Sequence, residues 1–188
     1  MAVKKEEEIM AVKIAVTGTH GVGKTVLIQS VKASLPTDVL EHVKIPPELA
    51  IDIIKSLGFR WQDVNKDTYK NFEKCLFNYY CLVSKLDINF LADRLPIDVI
   101  AYWTYILREP IPDDMLRDLV KSIKQYDIIY FYKEDNLDSE RGFIQQEIEN
   151  WLIKMYHLAG VPHFVFYRKD FDEIVDEIVD TFVEKLGG

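Results

Sequence analysis

Short β-branched and aromatic runs recur along the chain, separated by stretches whose apolar residues return at helical spacing. Val12-Lys-Ile-Ala-Val-Thr17 is β-branched and enters a glycine-rich turn, which predicts a strand. Lys24 to Leu35 places Val26, Leu27, Val31 and Leu35 on a helical period ahead of Pro36, which predicts a helix ending there. Asp38 to Val43 predicts a weaker second strand. Ile45-Pro-Pro-Glu48 cannot prolong it, because proline lacks the N–H that a ladder needs. Glu48 to Leu57, apolar at 49, 50, 53, 54 and 57, predicts a helix closed by Gly58. Thr68 to Leu86 predicts a longer helix rich in aromatics, among them Tyr69, Phe72, Phe77, Tyr79 and Tyr80.

The same alternation continues. Asn89-Phe-Leu-Ala92 is a short strand meeting Asp93-Arg94, and Pro96 to Leu107 is a helix with proline in its first turn, where no N–H is missed. Arg108 to Asp113 is a loop, and Met115, Leu116, Leu119, Val120 and Ile123 make a helix face. Ile128-Ile-Tyr-Phe-Tyr132 is the clearest strand. Lys133 to Glu140 is polar and reads as mobile. Phe143 to Tyr156 carries a long amphipathic pattern, His163 to Tyr167 a last strand, and Phe171 to Leu186 a last helix. Strands alternating with helices argue for an α/β fold, a parallel sheet with helices on both faces. With no repeat or linker, residues 10–188 read as one domain behind a solvated tail at 1–9, with a lid around 133–142.

Composition narrows the class. The 188 residues are 48% apolar and 29% charged, as in a folded globular chain, and the net charge is −8. That acidity argues against duplex nucleic acid as a partner, since such proteins present a basic face to phosphates. No run reaches the roughly 18 apolar residues of a membrane span. The first nine residues are mixed charge without an apolar core, so no signal peptide is expected, and Met10-Ala-Val-Lys13 repeats Met1-Ala-Val-Lys4, leaving either methionine as the start. Cys75 and Cys81 are too few for a disulfide framework. A reduced, cytoplasmic home is the expectation, with a homodimer left open.

The chemistry begins at Gly18-Thr-His-Gly-Val-Gly-Lys24-Thr25, which fits G-x-x-x-x-G-K-[ST] between a predicted strand and a predicted helix. Glycines let backbone N–H groups approach phosphate oxygens, and the helix N-terminus adds positive potential at the same point. The expected nucleotide-binding residues are Gly18, Thr19, His20, Gly21, Val22, Gly23, Lys24, Thr25 and Val26. Lys24 neutralises the β- and γ-phosphates, and Thr25 offers its hydroxyl to Mg²⁺. His20 reads as a variable loop position rather than a catalyst. Guanine-specific motifs are missing: Asn65-Lys-Asp67 brings its Asp one place early with no buried strand before it, and Asp138 to Gly142 brings its Gly one place late.

Three further positions stand at element ends. Asp93-Arg94 closes a short strand, where α/β proteins bind ligands. The carboxylate can assist Mg²⁺ or a hydroxyl and the arginine can clamp phosphate, or the pair is a helix cap with a surface arginine. Glu48 follows the second predicted strand and could take a proton from an acceptor hydroxyl, or only favour a helix dipole. Arg141, at the start of the long helix, could cover the transferring phosphoryl group, with Lys133 a weaker candidate. The aromatic face of 69–80 reads as core, some of it lining an acceptor pocket.

The order of these features resembles the P-loop nucleoside kinases, in particular the deoxynucleoside kinase branch with the nicotinamide riboside kinase domain of NadR-type proteins and its AAA-labelled relatives. The resemblance rests on the P-loop, Glu48, the aromatic helix, Asp-Arg-x-Pro-Ile-Asp-Val-Ile-Ala-Tyr at 93–102 and Arg141, and spans Val12 to about Tyr167. It implies a three-layer fold with a five-stranded parallel sheet in the order 2-3-1-4-5. It also implies ATP with Mg²⁺ as donor and phosphorylation of a hydroxyl on a nucleoside-like small molecule. By the same resemblance Glu48 orients or deprotonates the acceptor, Asp93 and Arg94 serve substrate and phosphates, with Asp93 near the metal, and Arg141 is the lid arginine. The chain departs in its thin lid and in Asn78 and Tyr79, which stand about where relatives place a base-reading glutamine. An ATP-binding switch with slow hydrolysis is the alternative from another class, and an RNA-end kinase is disfavoured by the charge.

Overall fold

The computed structural model describes residues 11–50, 53, 65–133, 140–160 and 162–187, the side chains of 140–144, 158 and 159 excepted. Four parallel strands, β1 (Lys13–Thr17), β2 (Phe90–Asp93), β3 (Ile128–Lys133) and β4 (His163–Tyr167), form a sheet ordered β2-β1-β3-β4. Strand β1 is central and buried along its length, which is why it reads as a continuous apolar run rather than an alternating one. Its register sets Val16 beside Asp93 and Thr17 beside Phe131, so β1 and β2 end at nearly the same level and β3 runs two residues further.

Two apolar layers cover the sheet. On one face pack α3 (Lys66–Ser84), α4 (Pro96–Tyr102), α5 (Asp113–Ile123) and α6 (Glu140–Ala159), burying Phe77, Trp103 and Tyr156. On the other pack α1 (Lys24–Ser34), α2 (Thr37–His42) and α7 (Phe171–Leu186), burying Leu27, Val31, Ile178 and Phe182. Helix α4 widens into a π-turn at Trp103–Leu107 and stops at Arg108, whose φ is 51°. Asn65 caps α3: its side-chain oxygen accepts from the Thr68 N–H at 2.9 Å. That role explains Asn65-Lys-Asp67 without any guanine motif.

The second predicted strand is not a strand. Residues 37–42 form α2, and the sheet has four strands among the described residues, not five in the order 2-3-1-4-5. Pro36 starts the turn by accepting from the Leu40 N–H at 2.8 Å. Val39 and Val43, four apart, both bury into the α1–α7 layer, as a helical face requires. Only Lys44 reaches the sheet, through one parallel bridge to Phe90 at the outer edge of β2, before Pro46 and Pro47 end the pairing. The bridge thus falls just after the expected strand, whose own residues 38–42 are helical.

Helix structure is present at Leu49, Ala50 and Ile53, and the rest of the helix expected over 48–57 with Gly58 lies outside the described residues. So do the tail 1–9 and residues 134–139 of the expected lid. Lys133 ends β3.

Candidate active site

The P-loop, residues 18–25, joins β1 to α1. Gly18 has φ 143°, and a Cβ there would lie 2.2 Å from the carbonyl oxygen of Tyr132, so the loop passes β3 too closely for any side chain. Gly21 and Gly23 also take positive φ, 86° and 99°, and Gly23 caps α1. Val22 is anchored in the α1–α7 layer, while Val26 is exposed on α1. The expected Val26 contact therefore stands on the outer face of the helix, and Val22 offers the loop its backbone only.

Lys24 is buried and donates to the Thr19 carbonyl at 2.7 Å. Burial, with Arg94 adding to it, pulls its pKa down to about 8 against the opposing pull of Asp93, Asp98 and Glu48. Thr25 donates its hydroxyl to Asp93 Oδ2 at 3.0 Å. The other carboxylate oxygen, Asp93 Oδ1, is buried with no hydrogen-bond partner. Burial pushes the Asp93 pKa upward, against the nearby charge of Lys24. A hydroxyl and a carboxylate with one unsatisfied oxygen are the hard donors Mg²⁺ takes, and that ion needs only one or two protein ligands beside phosphate and water. The residues present fit the ion.

Arg94 follows β2 with φ 80°, a conformation non-glycine residues adopt under constraint. Its N–H donates to Val16 at 2.9 Å, its Nε to Glu48 Oε1 at 3.3 Å, and its guanidinium lies 5.9 Å from the centre of the Tyr102 ring. Burial works against its charge, but Asp98 and the neighbouring Tyr102, Tyr80 and Asp93 outweigh that and hold its pKa above the ordinary value. Asp98 is buried and accepts from the Thr17 hydroxyl and, at 2.7 Å, from the Leu95 N–H. Tyr156 of α6 completes the chain by donating to Thr17 at 3.1 Å.

His20 crosses from the phosphate loop to this second cluster. Its Nδ1 is 3.5 Å from Arg94, its N–H donates to the Tyr102 hydroxyl at 3.0 Å, and its carbonyl accepts from Gln145 of α6 at 2.9 Å. Burial first, then Arg94 and Lys24, push its pKa down, so the imidazole is neutral at pH 7. Thr19 donates to Glu149 of α6 at 3.1 Å, and Lys133 pairs with the same buried carboxylate at 3.3 Å. Helix α6 therefore grips the P-loop at two successive residues.

Beside this crevice a cavity of about 510 Å³ opens between α3 and α4. Charged and polar residues of the crevice, namely His20, Glu48, Arg94 and Asp98, line one part of it. Tyr69, Phe72, Glu73, Leu76 and Tyr80 of α3 line another, with Val99, Tyr102 and Ile106 across from them.

The sequence-predicted Lys24, Thr25, Glu48, Asp93, Arg94 and His20 thus converge at the carboxyl ends of β1 and β2. Arg141 lies in the first turn of α6, and its side chain is outside the described residues. Asn78 is exposed and Tyr79 donates to the Pro47 carbonyl at 2.8 Å, so neither lines the cavity and the position expected to read a base is not there. The polar residue on the cavity face is Glu73. Its signal was available: positions 69, 72, 73, 76 and 80 make one helical stripe, interrupted by a single carboxylate. Asp98 and Tyr102 also went unassigned, although both sit inside the 93–102 block.

The fold and the phosphate loop define a P-loop α/β protein of kinase-like architecture. A family model for AAA domains matches residues 13–173, and the chain belongs to that family. No curated protein matches it in sequence. Among solved structures it is similar to a thymidylate kinase from Ehrlichia chaffeensis, at 16% identity and TM-score 0.64, over 92% of this chain and 98% of that one. It is also similar to a NadR protein in complex with NR, at 14% identity and TM-score 0.61. That match covers 95% of this chain and only 50% of the NadR chain. A third is the YorR protein from Bacillus subtilis in complex with phosphorylated GDP, at 15% identity and TM-score 0.55, over 91% and 96%. At such identities the likeness is one of fold.

Proposed function

We propose that the protein is a kinase that transfers the γ-phosphoryl group of ATP to a hydroxyl of a nucleoside-like small molecule. The observation that carries this reading is the cavity beside the P-loop, with Glu48 and Arg94 on its lining and Lys24, Thr25 and Asp93 next to them. A switch that only hydrolyses ATP has no use for a largely apolar cavity on the acceptor side. The thymidylate kinase among its structural neighbours supports the same choice.

Lys24 leaves the Thr19 carbonyl to neutralise β- and γ-phosphate oxygens, as the P-loop cradle brings them within its reach. Thr25 and Asp93 would hold Mg²⁺, which when bound spreads charge off the bridging phosphate oxygens. Glu48 lines the cavity and Asp93 does not, so Glu48 faces the acceptor and Asp93 the metal. In the transfer the acceptor O–H gives its proton to Glu48, a new O–P bond forms, and the γ-phosphorus bond to the β–γ bridging oxygen breaks, releasing ADP. Arg94, free to share its guanidinium between Glu48 and a phosphate oxygen, stabilises the charge that builds on the transferring group. Arg141 is carried by the first turn of α6, where a lid arginine would stand.

The test is ADP release from ATP with Mg²⁺ across a panel of nucleosides. Acceptor-dependent release and a phosphorylated product support the kinase. Slow release unchanged by every acceptor supports the switch and overturns the reading. GTP should serve no better than ATP, since Asn65 is spent on capping α3.

A further inference from the structure

We propose that Glu73 selects the ligand of the cavity, favouring a molecule that carries a cationic or multiply N–H-donating group apart from its reacting hydroxyl. The inference rests on the kinase reading for the word acceptor, but its geometry stands by itself.

Glu73 is 5% exposed and lies in the middle of the apolar stripe that α3 turns to the cavity. The Tyr69 hydroxyl, one turn earlier, donates to it. An ionised carboxylate can accept about four hydrogen bonds, so one donor leaves most of its capacity unused. Among the described residues no lysine or arginine forms an ion pair with Glu73; Arg94 forms its ion pair with Glu48 instead. Two turns later on the same stripe, Tyr80 is 2% exposed, and its hydroxyl has no hydrogen-bond partner. A buried group without a partner is unfavourable, so a wall holding both is built to meet ligand donors and acceptors.

The charge balance points the same way. Among the described residues of the lining, the acidic groups are Glu48, Glu73 and Asp98, against the one permanent cation of Arg94. Burial raises the Glu73 pKa to about 7, partly opposed by the Tyr69 hydrogen bond and by Arg94. A cationic ligand restores the ionised form and supplies the missing partner at once. An isosteric neutral ligand does neither.

The probes are benzamidinium and benzamide, which share a shape and differ in charge and donor count. Their dissociation constants are measured by ligand-observed NMR on the full chain at about pH 8. Benzamidinium should bind the parent at least tenfold more tightly, and Glu73→Gln should reduce the gap below threefold while benzamide binds as before. Unchanged benzamide binding shows that the variant keeps its cavity. Equal binding of both probes by the parent, or a tenfold gap that survives Glu73→Gln, overturns the proposal.

If Glu73→Gln does not fold, the parent supplies the same test through pH. The gap should close between about pH 8.5 and pH 6 as Glu73 takes up its proton, and a constant gap overturns the proposal. Among the described residues, the other ionisable groups lining the cavity with Glu73 are Tyr69 and Tyr80 on α3, Asp98 and Tyr102 on α4, and His20, Glu48 and Arg94 from the crevice. Arg94 keeps its charge, and burial holds Tyr69 and Tyr80 neutral. His20 is pushed below its ordinary range, and Asp98 already has its oxygens engaged by Thr17 and the Leu95 N–H. ATP and transfer do not enter this assay. A protein that keeps the charge preference but phosphorylates no acceptor removes the kinase reading alone, and the reverse pattern removes Glu73 alone.

Discussion

Glu48→Gln separates a reacting carboxylate from one that only holds an arginine. In the structure Glu48 Oε1 accepts from Arg94 Nε at 3.3 Å, with the two side chains 23% and 12% exposed. Glutamine keeps the shape and an acceptor oxygen but cannot take a proton at neutral pH. A partly exposed ion pair contributes at most about 1 kcal/mol to stability. For a chain of this size that lowers Tm by about 2–4 °C. Loss of a positioned base lowers kcat by roughly 10²–10⁴, and at 1.36 kcal/mol per factor of ten this is about 2.7–5.4 kcal/mol of barrier. The two effects differ enough to be told apart. The assay pairs steady-state ADP release, with whatever acceptor proves active, with calorimetric titration of ATP. The expected result is a collapse in kcat with ATP affinity within about threefold of the parent, because Lys24 and Thr25, not Glu48, are the residues proposed to meet the phosphates and metal. Turnover within twofold of the parent would refute the reasoning and leave Asp93 as the remaining candidate base.

Three other outcomes follow from the same geometry. Lys24 has its pKa depressed to about 8 in the free protein, so ATP binding at about pH 8 should take up roughly half a proton as the phosphates restore its charge. Calorimetry in buffers of different ionisation enthalpy reads this uptake, which should vanish at pH 6 and in Lys24→Ala. Asp93→Asn should lower activity in a way that higher Mg²⁺ concentration partly rescues, whereas a loss independent of Mg²⁺ would remove Asp93 from the metal. Gly18→Ala puts a Cβ 2.2 Å from the Tyr132 carbonyl at a φ of 143°, so it should destabilise the fold by roughly 2 kcal/mol or more, read as a fall in the denaturant midpoint.

What was legible in the sequence follows the physics of each element. The four strands stood out because a parallel strand buried on both faces is a short unbroken apolar run, and His163 to Tyr167 carried enough β-branched and aromatic character even at the sheet edge. Residues 38–43 misled because six residues with three apolar positions fit either period. The spacing of Val39 and Val43 and the proline ahead decide for helix. At the site, the P-loop was fully legible, since its glycines and lysine are fixed by local backbone geometry. Glu48, Asp93 and Arg94 were legible as ends of elements, though not as a contact between Glu48 and Arg94, which depends on sheet order. Glu73 was missed because a lone glutamate in an aromatic helix usually points to solvent. Only the packing of α4 against α3 shows that this one faces inward.

The position of Arg94 ties the two halves of the crevice into one unit. Its positive φ places the guanidinium toward Glu48 and Tyr102 instead of along the axis of β2, and such a backbone persists only where its surroundings over-determine it. Here they do so from three directions. Strand β1 supplies the Val16 carbonyl for its N–H, α4 supplies Asp98 beneath its charge, and the 45–48 segment supplies Glu48. Asp98 is in turn held by Thr17, the last residue of β1 before the P-loop, and Thr17 by Tyr156 of α6. The hydroxyl of Thr17 thus sits between the helix that grips the P-loop and the acid that holds Arg94. Any shift of α6 relative to β1 is felt at both the P-loop and the wall of the cavity. In the proposed phosphoryl transfer, which needs donor and acceptor held in alignment, the hydrogen bonds from Tyr156 through Thr17 to Asp98, and the charge of Asp98 beside Arg94, tie the two sides together without a covalent link.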